Sequence, residues 1–441
     1  MKKLSRLLCI VLAVLMLAGS FVGCHEKNEI AFTIGESKFT SAMFSCVQFF
    51  SANVARSTID TYLADNELDT KNVKYENYKF DADGKVVANG TPYEKFVRDE
   101  AIRVLRQNAA LDALLKEKNL EVDEDTKNAA GWEAYTLWYY GCDYNTYYQY
   151  SSYGMLDSLA SYYTPYAILL EQNGVAYSTY LEYKMYDAKY DFYFNHLYGE
   201  KGEKEVPKDD IVKFMTEHYV VGDSITVSKK DSKDKELSKE KLAELKKLFD
   251  GYAERLNKGE KFADIYKEET ARVEAENKTN TSSSSNSTTS SNNSSAASSN
   301  ASSVTSSTTS SATSSTTTSS GTTSSGTKKY SPESYTGVFG DKDTGYSSDL
   351  FDQYKKQEIG KAVVIDDTAN SQYLLFVRRD MTDESYENYW FDGLKSTILY
   401  SLKQDEFNDS LNEKGNTLKL AEDTHATSPF DVDEIKFDIE G

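Results

Sequence analysis

The stretch from Thr279 to Thr327 carries no charge and no aromatic ring, and only four alanines and Val304 in it are apolar. Such a segment buries too little surface to offset the entropy of ordering, so it is expected to stay disordered and outside any core. Any folded core must therefore form from the residues on either side of it. Treated as a flexible coil, its ~49 residues span about 35–42 Å end to end. That reach suits a linker between two bodies or a long loop inside one. Closing a loop of ~50 rather than ~8 residues costs only about 1.6 kcal/mol more, so a loop is permitted.

The start of the chain reads as an export signal. Lys2, Lys3 and Arg6 precede an apolar run from Leu7 to Leu17, too short for a stop-transfer anchor. The run ends in "SFVGC", and small Gly23 before Cys24 resembles the lipobox of bacterial lipoproteins, with Phe21 in place of the usual leucine. Ordinary cleavage beside an incidental cysteine is the alternative. Residues 1–23 are thus read as the signal peptide and Cys24 as the lipidation site, and two acyl chains would hold the protein to the membrane without a span. Removing the three leader cations takes the formal charge from −20 to −23. That charge, with no basic block against it, argues against nucleic acid as a partner. Cys46 and Cys142 then remain, each in an apolar or aromatic neighbourhood, and are expected to be buried free thiols, with a single disulfide between them the alternative in an oxidising compartment.

Several elements are legible. Ile30 to Ile34 reads as a strand, Gly35-Glu36 as a turn and Thr40 as a helix N-cap, with Met43, Phe44, Val47 and Phe50 then on one helical face. "YKFDADGKVVANG" reads as a hairpin bent at Asp83-Gly84; its spacing does not match a calcium loop. Thr91 and Glu94 suggest a capping box with Pro92 at the first helical position, opening a helix whose buried stripe is Val97, Ala101, Val104, Leu111 and Leu115. Residues 132–198 are dense in tyrosine and read as several packed helices.

From Val206 the order is helix, strand, charged loop, helix. The strand is "VVGDSITV", 220–227, expected to be half-buried, and the second helix is capped by Ser238 and stopped by Gly259. Phe262 returns to a core. After the Ser/Thr tract come a short helix at "DLFDQYKK", strands at Ala362–Ile365 and Tyr373–Val377, and a closing helix with Trp390, Leu394, Ile398 and Leu402 in register. Strands on both sides of the tract would share one small sheet.

This order resembles the PrsA-type extracytoplasmic foldase lipoproteins, in which a SurA-like helical chaperone region accompanies a parvulin-type peptidyl-prolyl isomerase domain. "IAFTIGESKFTSAMF" is similar to the opening of the chaperone region. "VPKDDIVKFMTEHY", strand 220–227, "RLNKGEKFADIY" and "IGKAVVI…YLLFVRRD" resemble the parvulin domain in sequence order. The resemblance implies an α+β chain. Residues 24–205 would form the helical chaperone region, with 385–441 packing back on it, and 206–384 a small antiparallel-sheet domain interrupted by a disordered insert at 275–328.

Active parvulins carry a histidine on the first strand and another on the last. In the matching positions this chain has Ser224 and Tyr373, and the Gly-Gly-Asp-Leu-Gly stretch between them is absent. Phe262, Phe351 and Tyr373 are the candidate lining of a proline pocket. His218 falls at the end of the preceding helix, and His25, His196 and His425 are isolated. No P-loop, dinucleotide fingerprint or G-x-S-x-G elbow occurs, and neither a metal nor a cofactor is expected. The implied function is a membrane-tethered chaperone for unfolded exported polypeptides whose parvulin-like domain has lost catalysis. Its binding surface would draw on Tyr139, Tyr140, Tyr147 and Tyr148. An active isomerase with a divergent site and an adhesive surface lipoprotein with a Ser/Thr stalk are the alternatives.

Overall fold

A computed structural model describes residues 28–159, 161–231, 234–282, 333–342 and 344–437. Residues 1–27, including the expected signal peptide, Cys24 and His25, and the Ser/Thr tract from residue 283 lie outside the described residues. The described chain is α+β, with three small antiparallel sheets among its helices. It divides into two units, one of residues 28–205 and 403–437, the other of 206–282 and 333–402. The division falls inside one long helix, so 385–402 belong with the second unit and not with the helical region.

In the first unit β1 (Ile30–Ile34) turns at Gly35, whose φ of 61° favours glycine, into β2 (Ser37–Thr40). β10 (Leu420–Glu422) adds to the other edge of β1, giving the order β10-β1-β2. Thr40 caps α1 (Ser41–Asp65), its hydroxyl accepting from the Met43 N–H at 3.1 Å. α1 is buried nearly all round at its start. Met43, Phe44 and Val47 pack with Phe32, Ile34 and Phe39 of the sheet. Phe50 leaves that face and stacks at 5.0 Å on Tyr183.

The second hairpin forms as expected, β3 (Lys79–Phe80) with β4 (Val86–Val87). Its bend is held by Asp81 Oδ1, which accepts from the Asp83 and Lys85 amides at 2.9 Å. The capping box does not form. Thr91 and Pro92 make β5, paired with β3, and α2 (Tyr93–Lys118) starts after them with no side-chain cap. Fully buried Phe80 needs a strand on each side, and that pairing takes Thr91 from the helix end. Val97, Ala101, Leu111 and Leu115 are buried, while Val104 is half-buried and Leu105 takes its place in the core. Next along the chain are α3 (Glu124–Tyr140), α4 (Tyr144–Ser152), α5 (Leu156–Leu159), α6 (Tyr166–Glu171) and α7 (Tyr177–Tyr198).

The second unit runs α8 (Lys208–His218), β6 (Tyr219–Ser228), α9 (Lys239–Asn257), α10 (Phe262–Ser282), β7 (Thr336–Gly340), α11 (Phe351–Lys355), β8 (Ala362–Asp367), β9 (Gln372–Arg379) and the first part of α12 (Glu384–Thr417). The first unit closes with α13 (Thr424–Thr427) after β10. Ser238 caps α9 by accepting from Lys241 N–H, and Gly259 lies just beyond it at φ +97°. α10 carries helix through residues 275–282, which the sequence assigns to the insert; the rest of that insert up to 328 lies outside the described residues.

Strands from both sides of the tract share one sheet, in the order β7-β6-β9-β8. β6 pairs with β9, Asp223 opposite Val377 and Val227 opposite Tyr373, and with β7, Asp223 opposite Thr336. β6 is therefore central, and residues 219–223 are buried on both faces instead of half-buried. On one face Ile225, Tyr373, Leu375 and Val377 pack under Phe249 and Tyr252 of α9 and Phe262 of α10. On the other, Val220, Leu374, Phe376 and Ile365 pack with Phe351 and Tyr354 of α11.

Candidate functional site

Register decides what the sheet can present. Directly opposed residues share a face, and successive residues alternate. Ser224 lies opposite Phe376, on the α11 face, whereas Tyr373 lies opposite Val227, on the α9 face. The two positions matched to a histidine pair therefore sit on opposite sides of the sheet and form no common site. The three-residue pocket fails for the same reason: Phe262 and Tyr373 share the α9 face, while Phe351 covers the other. That other face is filled by rings, with Phe376 stacked at 4.4 Å on Tyr354 and 6.0 Å from Phe339.

Two carboxylates are sunk into the sheet, Asp367 at the end of β8 and Asp223 on the central strand. Asp223 is 3% exposed and accepts from Thr336 Oγ1 at 2.8 Å and from Arg379 Nε at 2.8 Å, with Arg379 Nη2 on the same oxygen. Both its carboxylate oxygens serve neighbouring strands, so it ties β7, β6 and β9 together and offers nothing to a substrate. Sequence reading passed over it because the Asp–Arg pair spans 156 positions. His218 Nδ1 sits 2.6 Å from Asp341 Oδ2 with Phe214 stacked on its ring, beyond the sheet's end. His196 meets Glu203 at 3.1 Å, and His425 is exposed on α13.

The unusual surface is in the first unit. Nine of the fourteen exposed large apolar or aromatic side chains among the described residues fall between Trp132 and Ile168. Tyr148, Tyr153 and Tyr162 are the most open, at 62%, 78% and 72%. Rings touch in series, Tyr148 to Tyr144 at 6.3 Å, Tyr144 to Trp132 at 6.0 Å, Trp132 to Tyr135 at 5.9 Å and Tyr135 to Tyr139 at 5.0 Å. Of the four tyrosines singled out from sequence, Tyr139 and Tyr148 are exposed, while Tyr140 and Tyr147 are half-buried against each other at 4.8 Å. Burial, then its bond and charge contact with Tyr135, push the Tyr140 phenol up to about 12, so it stays neutral.

Local sequence builds this face. Asp123 and Asp143 cap α3 and α4, accepting from Thr126 and Thr146 amides at 2.8 and 2.9 Å. Gly141 (φ 71°) ends α3 where a Cβ would collide with the Thr164 carbonyl. Trp138 and Tyr180 turn inward with Leu170 and Val175, which anchors the layer of outer rings. Between Tyr144 and Leu170 the single charged residue is Asp157.

Cys46 and Cys142 are buried free thiols; burial raises both, Cys142 to about 11. Among the described residues no helix is long and apolar enough to cross a membrane, and no cluster of three acid, histidine or cysteine groups could hold a metal ion. Neither family models, nor curated proteins, nor solved structures provide a match to this chain.

Proposed function

We propose that this protein is a membrane-tethered extracytoplasmic chaperone, lipidated at Cys24, that binds unfolded exported polypeptides through the aromatic face of α3–α6. The carrying observation is that face: nine exposed large apolar or aromatic side chains between Trp132 and Ile168, several of their rings in contact, in a stretch whose only charged residues are Glu133, Asp143 and Asp157, on a chain that is otherwise strongly acidic. Tyrosine presents a large apolar body with a hydrogen-bonding tip at low entropic cost, which suits clients that expose both side chains and backbone. The second unit, on this reading, is a PrsA-type parvulin-like module without isomerase catalysis. Support comes from the pairing of β6 with β9 across the tract and from Ser224 and Tyr373 standing where the resemblance asks for paired imidazoles. A stalk between separate halves fits poorly with a sheet that draws strands from both sides of the tract.

The test is suppression of aggregation of a reduced secreted protein. The wild-type chain is expected to protect, and the combined Tyr148→Ser, Tyr153→Ser and Tyr162→Ser variant to lose most of that protection at unchanged melting temperature. No protection at severalfold excess, or full protection by the variant, would sink the proposal.

A further inference from the structure

α1 buries four polar side chains, and three of them are small serines, Ser41, Ser45 and Ser51. Ser41 donates to the Ala426 carbonyl at 3.0 Å and Ser45 to that of Asn173 at 2.8 Å. Gln48 is different. It is 1% exposed, and its Nε2 is buried with no hydrogen-bond partner. A buried donor left unmade costs its full desolvation, and such groups in native chains call for a specific explanation.

Gln48 lines an open cleft of about 620 Å³ in the first unit, walled by α2 and by the segment after β10. That volume lies in the range of small-molecule sites, roughly 300–1,000 Å³. The two cations on the wall are already engaged, Lys95 with Asp99 and Arg98 with Glu422, both at 2.5 Å. Thr427 Oγ1 is spent on Glu422 as well. What the rim adds is negative: Glu94 and Asp431 line the cleft, and Asp433 lies against Glu94. The Glu94 carboxyl is pushed up, first by the charge of Asp433 and then by partial desolvation, with Asp431 acting in the same sense. An anion would be repelled here. A ligand that fits must bring positive charge to the rim and a hydrogen-bond acceptor to the floor.

We propose that this cleft binds the α-amino end of an amino acid or peptide, its ammonium against Glu94 and Asp431 and its adjacent carbonyl oxygen accepting from Gln48 Nε2 once that amide turns toward the cleft it lines. An α-amino acid unit carries those two groups within one residue, which a lysine side chain or a simple amine does not. The shared chemistry admits a free amino acid or the first residue of a chain.

Calorimetric titration of the full chain with L-alanine, trialanine and N-acetyl-trialanine tests this. Acetylation removes the charge, so it is expected to weaken binding about tenfold or more, the scale of a lost charge-assisted hydrogen bond. Equal binding of alanine and trialanine assigns the cleft to free amino acids; preference for trialanine assigns it to polypeptide ends. Glu94→Gln, on the exposed rim, and Gln48→Met, which replaces an unpartnered amide by an apolar chain of similar length, are each expected to weaken binding severalfold without lowering the melting temperature. Equal affinity for the acetylated and free peptides, unchanged affinity in Glu94→Gln, or no binding of any probe at about 10 mM would overturn the assignment. If Gln48→Met failed to fold, Glu94→Gln would still decide.

Discussion

Gly222 is where the central strand of the four-stranded sheet is most exposed to a single methyl group. A Cβ at this position would stand 2.5 Å from Phe376 Cζ and 2.9 Å from the Val377 carbonyl oxygen. The ring cannot step aside, because Tyr354 stacks on it at 4.4 Å and it is fully buried. Nor can the backbone yield, since Gly222 is paired with Arg378 on one side and Gly337 on the other. Overpacking of a filled core costs about 1–3 kcal/mol, and the tight setting argues for ~3 kcal/mol. Loss of glycine's freedom in the unfolded chain offsets about 0.4–1 kcal/mol of that. Gly222→Ala should therefore destabilise the sheet by ~2 kcal/mol or slightly more, roughly a thirtyfold change in its opening equilibrium. Native-state hydrogen exchange of β6 and β9 amides reads this locally, without assuming that both units unfold together. Phe376→Leu should make room, so the double variant should cost less than the sum of the single ones. Amides of β6 and β9 that exchange no faster in Gly222→Ala would refute the register of the sheet.

The remaining expectations are simpler. Thr40→Ala removes the α1 cap and should cost about 1 kcal/mol in denaturant unfolding, with Thr40→Ser restoring most of it. Asp367 is 1% exposed; burial raises its carboxyl, but hydrogen bonds from the Asn370 and Gln372 side chains and from backbone amides outweigh that and hold it below the usual range. Its stabilisation is thus present above the ordinary carboxylate pKa and lost as pH falls through the lowered one. Asp367→Asn should be less stable at neutral pH, with the gap closing in acid; a pH-independent gap in thermal melts would contradict the bonding pattern. A proline-peptide assay should show no acceleration over the uncatalysed barrier of about 18–20 kcal/mol. Acceleration abolished by Tyr373→Phe would restore the isomerase reading.

Features fixed by neighbouring residues were legible in the sequence, and features fixed by partners far along the chain were not. Thr40 caps α1 and Ser238 caps α9 because each acceptor and its N–H donor lie three positions apart. Thr91 obeyed the same rule on paper and was taken by β3, a strand whose need for a second edge is tertiary. β7 was missed: five residues with two glycines beside the low-complexity tract show no alternation, and only pairing with β6 makes them a strand. The paired-site expectation failed on parity. Ser224 and Tyr373 belong to adjoining strands, yet facing registers three residues apart send them to opposite faces, and no pattern within either strand carries that information. Likewise composition marked 132–198 as tyrosine-rich, but which rings face inward depends on Leu170, Val175 and Tyr180 closing over Trp138.

The placement of charge gives the aromatic face its meaning. Charged residues make up 27% of the chain and leave it at −20, yet the stretch from Tyr144 to Leu170 holds one of them. Scattered exposed rings need no explanation, whereas a connected set running into such a window, from Trp132 through Tyr144 to Tyr148, does. Net charge of this size keeps copies of the chain apart, because each approaches the other with the same sign. On the chaperone reading proposed above, an unfolded client with exposed apolar side chains would meet no such barrier at the window itself, where contact is short-ranged and indifferent to sequence. The same arrangement disfavours self-association and leaves the rings open to others, which is the combination a binder of unfolded polypeptides requires.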